Sequence, residues 1–273
     1  MTENALFHAA LHRWLRDTRY WAANWARIGR FALLMLTMAI TPSSYRRDNR
    51  PAIARQLVLA TASNLLWFGV MAALISLVLI RIVVVTALSY GLSKFALEMV
   101  VRVLVLELIP LTAALFVALR VTLPDGLEFA QLRALGTLDE LMRQGVDPVR
   151  REFLPRVLAG LFSVWLLAAV SCVTALVLAY LVLYGFTPWA LAGYTRVVGQ
   201  VFNPAVASIL ALKILFFSFA VALIPLASSY RTGTVVERAP RSLPKAAHGL
   251  VEMIRLFSLI LLVEVASLMG NYY

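Results

Sequence analysis

The chain alternates long apolar runs with short basic gaps. Leu57–Ile80 holds 24 residues without a charge, and a membrane-spanning helix needs about 20. Val157–Thr195 is charge-free for 39 residues. That is too long for one crossing of a hydrocarbon core about 30 Å thick. Gly185 and Pro188 divide it into a span and a connection of short helix or loop on the far side. The pattern predicts five spans, Leu57–Ile80 followed by about 95–120, 155–184, 205–229 and 247–270. The runs are continuous and do not alternate over short segments, which points to helices and away from a barrel.

The flanks carry a different period. Phe7, Leu11, Trp14, Thr18, Trp21, Trp25 and Ile28 recur at spacings of three and four, one face of a helix over 5–30. His12, Arg13, Arg16, Arg19 and Arg27 lie largely off that face, and tryptophan and arginine both favour the membrane interface. An interfacial helix is predicted; a soluble helix packed on a partner is the alternative. Phe31–Thr41 is apolar but too short to span, so it is expected to dip into the leaflet as an elbow. Between spans two and three, Phe129, Leu132, Leu135, Leu138 and Met142 form one face of a helix predicted over 127–143. It reads either as an amphipathic helix lying under the bundle or as a coupling helix that docks on a separate ATPase.

Charge then orients the chain. Lys+Arg total 25 against 14 Asp+Glu, for a net charge of +11. The basic residues concentrate before span one, between spans two and three, and between spans four and five. The positive-inside rule makes those gaps cytoplasmic. The N-terminus is then cytoplasmic and the C-terminus outside. The same rule accounts for the arginines without nucleic acid. Trp14, Arg16, Arg19 and Trp21 interrupt any candidate signal-peptide core. The single cysteine, Cys172, leaves no intramolecular disulfide.

No Gly-x-x-x-x-Gly-Lys phosphate loop, His-Glu-x-x-His zinc motif or cysteine pair is present. The chain is therefore expected to be no enzyme and to bind no cofactor of its own. The informative residues are charges inside apolar runs, which face protein or a wet cavity because lipid is so unfavourable for them. Glu107 in span two and Lys213 in span four have opposite sign at similar depth. They are expected to pair, either to line a substrate path or to hold the bundle together. Lys94, Glu98 and Arg102 stand four apart on one face of span two, as a solvated cap or as a contact for a headgroup or partner. Glu264, in span five, can join either set.

Leu106-Glu107-Leu108-Ile109-Pro110, then Ala113-Ala114-Leu115 and Arg120, resembles a stretch of the MlaE/YrbE permeases. Glu128, Arg133, Ala134 and Leu138 fit the following segment of that family at similar spacing. Val146-Asp147-Pro148, Pro155-Arg156 and Ala159-Gly160 follow in the family's order. Upstream, Ile28-Gly29-Arg30 and Arg55-Gln56-Leu57 also fit, and downstream Lys213 and Tyr230 do. The chain departs at Leu106, Leu119 and Leu135-Gly136-Thr137, as a divergent member would.

The resemblance implies a single permease domain over 1–273, with an interfacial and elbow region over 1–50 and a five-span bundle over 51–273. The implied fold class is an all-α integral membrane protein with an N-terminal interfacial or elbow helix, five transmembrane helices and a cytosolic coupling helix between spans two and three. The implied function is the permease subunit of an ABC transporter that moves phospholipid or related lipid between the inner and outer membranes of diderm bacteria. Implied partners are a second copy in a homodimer, a cytosolic ABC ATPase that holds the ATP and magnesium, a periplasmic MCE-domain hexamer and a small STAS-domain protein. The resemblance makes Glu107 and Lys213 candidates for the lipid path and Glu128, Arg133, Leu138 and Asp147 candidates for ATPase coupling; Glu98, Arg102 and Glu264 join the first set on their charge, and Phe129 and Leu132 the second on the apolar face they share. A membrane scaffold that recruits a partner and an ion-coupled secondary carrier are the alternatives. The lack of inverted repeats weighs against the carrier.

Overall fold

A computed structural model describes residues 22–45, 49–92, 95–145, 147–230 and 245–272. Residues 1–21 (positions 5–21 of the expected interfacial helix among them), Lys94 and most of the basic gap before span five lie outside the described residues. Helix α1 covers 22–40 and runs unbroken across the boundary expected between interfacial helix and elbow. Phe31 and Met35 are buried on one side while Leu33 and Ile40 are exposed on the other. A short 3-10 turn, Pro42–Tyr45, follows. It is pinned by the Tyr45 hydroxyl donating to Ala39 O at 2.8 Å and by Arg50 Nε donating to Tyr45 O at 2.9 Å.

Five described helices are long and apolar enough to cross a membrane: α2 (Arg50–Ser89), α3 (Ala96–Ala134), α5 (Val149–Tyr184), α7 (Pro204–Ser229) and α8 (Lys245–Tyr272). Their order matches the five expected spans. Two shorter helices connect them, α4 (Thr137–Arg143) and α6 (Leu191–Val201). No strand occurs among the described residues. α2 packs along α5, α5 against α7, and α7 against α8, while α3 contacts both α5 and α7. The central core is lined with small residues. Ala113, Ala114, Val117 and Ala118 of α3, Ala168 of α5 and Val221 of α7 are wholly buried. Small residues let backbones approach where no hydrophobic effect drives helices together in lipid.

α3 is longer than the span expected over 95–120. It continues through Pro124 to Ala134 because the helix widens instead of breaking. Three stretches are π-helical: Val101–Leu108, Ala118–Thr122 and Val149–Phe153. Each ends two residues before a proline, namely Pro110, Pro124 and Pro155. A proline removes the N–H that would bond the carbonyl four residues back. The carbonyls so affected, Leu106, Arg120 and Arg151, all fall inside the π stretches. A wider turn accommodates the missing donor without ending the helix.

The segment expected as one helix over 127–143 is in two pieces. α3 ends at Ala134 and α4 begins at Thr137, with Gly136 between them at φ +74°. That left-handed conformation breaks the helix and suits glycine. The expected apolar face therefore splits. Phe129 and Leu138 are buried, Leu132 is half-buried, and Leu135 and Met142 are exposed.

At the opposite end of the bundle, α5 stops at Gly185 and a 3-10 turn, Pro188–Ala190, leads into α6. The Tyr194 hydroxyl donates to Leu176 O at 2.7 Å and seats α6 on α5. Burial, with Tyr184 alongside, pushes the Tyr194 phenol up to about 12, so it remains a donor at neutral pH.

Candidate functional site

α7 opens at Asn203, whose side chain accepts from Val206 N at 2.8 Å, with Pro204 in the first turn. This cap fixes where α7 begins and therefore how deep Lys213 lies. Lys213 has a side chain only 1% exposed. Its ammonium donates to the Glu107 carboxylate of α3, lies 2.9 Å from Glu264 Oε2 of α8, and donates to Leu106 O at 3.2 Å. The Phe217 ring, one turn along α7, stands 5.8 Å from the nitrogen, within cation–π range. One cation thus joins three spans, and all three charged side chains are nearly dry.

Leu106 O is available for a reason written in the sequence. Its ordinary helical donor would be residue 110, and Pro110 has no N–H. The π-helical stretch holds this carbonyl and the Glu107 carboxylate toward the same lysine. Pairing a buried ammonium with carboxylates and a carbonyl offsets desolvation that would otherwise cost several kcal/mol per ion. The resemblance has arginine where this chain has Leu106. The contact here uses the Leu106 backbone, so that departure leaves it intact.

Another face of α3 borders a cavity. It has a volume of about 230 Å³, opens sideways between α2 and α3, and is lined by residues including Phe68, Met71, Ile75, Leu108, Phe116 and Leu119. Met71, Ile75 and Leu119 are exposed at its mouth. Its polar lining is slight. The Thr112 hydroxyl donates to Leu108 O at 2.9 Å and Ile109 O at 3.0 Å, within its own helix. The cavity therefore suits an apolar guest. Leu108 faces it while neighbouring Glu107 and Leu106 O face Lys213, so one turn of α3 separates an apolar groove from a dry charge cluster.

The other sequence-derived residues fall elsewhere. Glu98 and Arg102 pair at 3.0 Å near the start of α3, each about one-third exposed. Lys94, expected beside them, lies outside the described residues. Asp147 caps the start of α5 by accepting from Val149 N at 3.0 Å, and lies 3.6 Å from Arg150. Glu128, half-exposed on α3, accepts from Arg156 Nη2 at 3.0 Å. Phe129 is wholly buried within the bundle. Arg133 is half-buried at the end of α3.

Two features carry no obvious mark in the sequence. Arg156 gathers three carboxylates, although only its place in the Pro155-Arg156 motif draws notice. Gly126 of α3 lies so close to α7 that an added Cβ would sit 2.7 Å from Pro225 O.

Fold and site together define a multi-pass helical membrane protein whose polar interior is a charge triad and whose accessible groove is apolar. Residues 53–267 match the family described as Permease MlaE, and the chain belongs to that family. It is accordingly the transporter type of membrane subunit, a permease of lipid ABC transport, rather than a catalytic enzyme. No curated protein matches the chain.

Proposed function

We propose that this chain is the single-domain permease through which a separate cytosolic ABC ATPase moves phospholipid, or a related lipid, between the inner and outer membranes of a diderm bacterium. The observation that carries the reading is the sideways-open apolar cavity one helical face away from the Lys213 triad, in a chain of the MlaE permease family. The cavity's chemistry fits an acyl chain. Glu107, Lys213 and Glu264 form the charge network beside the lipid path, and the Glu98–Arg102 pair flanks it nearer the far interface.

In this reading the chain works as a homodimer in the inner membrane, with its N-terminus cytoplasmic and its C-terminus periplasmic. ATP and magnesium sit on the partner ATPase, and this chain holds no cofactor. The region from Glu128 to Asp147 meets the ATPase. Leu132, Arg133 and Glu128 lie on its accessible side, with Phe129 and Leu138 supporting it from within. A periplasmic MCE-domain hexamer receives or delivers the lipid, and a STAS-domain protein joins the ATPase.

The test is to purify the chain from membranes, identify bound lipid by mass spectrometry, and ask whether a P-loop ATPase comes with it. Bound phospholipid plus a co-purifying ATPase supports the proposal. An ATPase partner without lipid would favour a scaffold. Lipid movement driven by an ion gradient alone would favour a carrier.

A further inference from the structure

Arg156 lies just after the π-helical start of α5, with a side chain 12% exposed. Its guanidinium donates to Glu128 at 3.0 Å and lies 3.9 Å from both Asp125 and Glu152. Its Cζ stands 4.4 Å from the centroid of the Phe129 ring. That ring stacks on Phe153 at 4.1 Å and 15°. Phe153 in turn meets Phe31 edge-on at 6.0 Å and Tyr230 at 5.9 Å. Arg156 and one aromatic stack therefore join α1, the end of α3, the start of α5 and the residue that ends α7.

The position matters as much as the contacts. Glu128 and Phe129 occupy the last turns of α3, directly before the Gly136 break and the more exposed α4. A push on α4 reaches the bundle at these turns. Little there can absorb it. Gly126 abuts the Pro225 backbone, and Gly160 of α5 abuts Thr122 of α3 and Ala222 of α7. Close-packed small residues transmit displacement, because packed interfaces are not continuously deformable. Arginine suits the junction. Its guanidinium is planar, so it can bond carboxylates in its plane while its face lies flat on a ring.

We infer that Arg156 is the positioning residue that carries motion of the ATPase-facing segment from the end of α3 onto α5, so that its loss uncouples ATP hydrolysis from lipid movement. This rests on the ATPase-driven reading above.

The test uses the full chain, assembled with its ATPase, in vesicles of phosphatidylethanolamine and phosphatidylglycerol carrying a fluorescent phospholipid. ATP hydrolysed and lipid moved are measured together. Arg156→Gln is expected to assemble and hydrolyse ATP as the unaltered chain does, while lipid moved per ATP falls about tenfold, the scale on which coupling residues act. Arg156→Lys, which keeps the charge without the fork, recovers part of that ratio. An unchanged ratio in Arg156→Gln overturns the inference, and so does loss of ATPase binding, which would make Arg156 a plain structural contact. If Arg156→Gln does not accumulate, Asp125→Asn combined with Glu152→Gln decides, with a fallen ratio expected and an unchanged one overturning. Failure of the unaltered chain to move lipid with ATP would sink the proposed function itself, a result separate from any variant's behaviour.

Discussion

Lys213 and Arg156 each stand among carboxylates supplied by other turns and helices, yet the two clusters are built differently. Lys213 is a compact charge in a nearly dry setting, held by carboxylates of two other spans and a backbone carbonyl. Arg156 is a flat fork near the helix ends, with Glu128 half-exposed and an aromatic ring beneath it. A dry ion pair has no water to replace a lost partner, so breaking it strands charge in an apolar medium. Around Arg156 the Glu128 arm is the wet one, at 54% exposed, so breaking that contact costs less. The difference assigns the clusters different work. The first holds three spans in one arrangement, and the second ties the end of α3 to α5 so that the two move together.

The largest effect that could break this contrast comes from Lys213→Met. It leaves two carboxylates without their cation and is expected to cost about 3–5 kcal/mol. Adding Glu107→Gln and Glu264→Gln should return most of the loss. Unfolding in mixed micelles measures both, and a Lys213→Met chain as stable as the original would end the distinction. Arg156→Gln should cost less, about 1.5–3 kcal/mol, the scale of hydrogen bonds to charged groups. An equal or larger loss than that from Lys213→Met would reverse the ranking of the two clusters. Gly126→Ala forces a methyl against the Pro225 backbone and is expected to cost about 1–3 kcal/mol by overpacking. Thermal unfolding of the detergent-solubilised chain reads it. Gly136→Ala meets open space, so only its left-handed backbone resists, at about 1–2 kcal/mol. Smallest is Glu98→Gln. Its pair with Arg102 is one-third exposed, and its loss should move stability by under about 1 kcal/mol.

The spans are legible because apolar runs report directly on the solvent around them, and Leu57–Ile80 needs no further argument. Glu107 and Lys213 are legible as partners because opposite charges at like depth in apolar runs have few other options. Glu264 is harder to place, since nothing in a single sequence fixes the rotation of span five against span four. The 127–143 segment misleads for a local reason. Its spacing of apolar residues is helical throughout, and only the φ of Gly136 reveals the break. The longer reach of α3 is not legible either, because at Pro124 the helix widens and continues. Glu152, four residues before Arg156, is a partner that spacing can suggest, but Asp125 and Glu128 come from the previous span, about 30 residues upstream, so spacing says nothing of their meeting.

The proline-terminated wide turns have a consequence for how the chain tolerates changes of length. Each residue of an ordinary helix advances it by about 100°, whereas a wide turn holds one residue more for about the same rotation. Removing one residue from Val101–Leu108 would convert a wide turn to an ordinary one and leave Ala96–Val100 facing much as before. Removing one from the ordinary turns of Ile109–Val117 would instead rotate everything before it relative to all that follows. The wide turns are therefore the places where the helix can give up a residue and keep its faces in register.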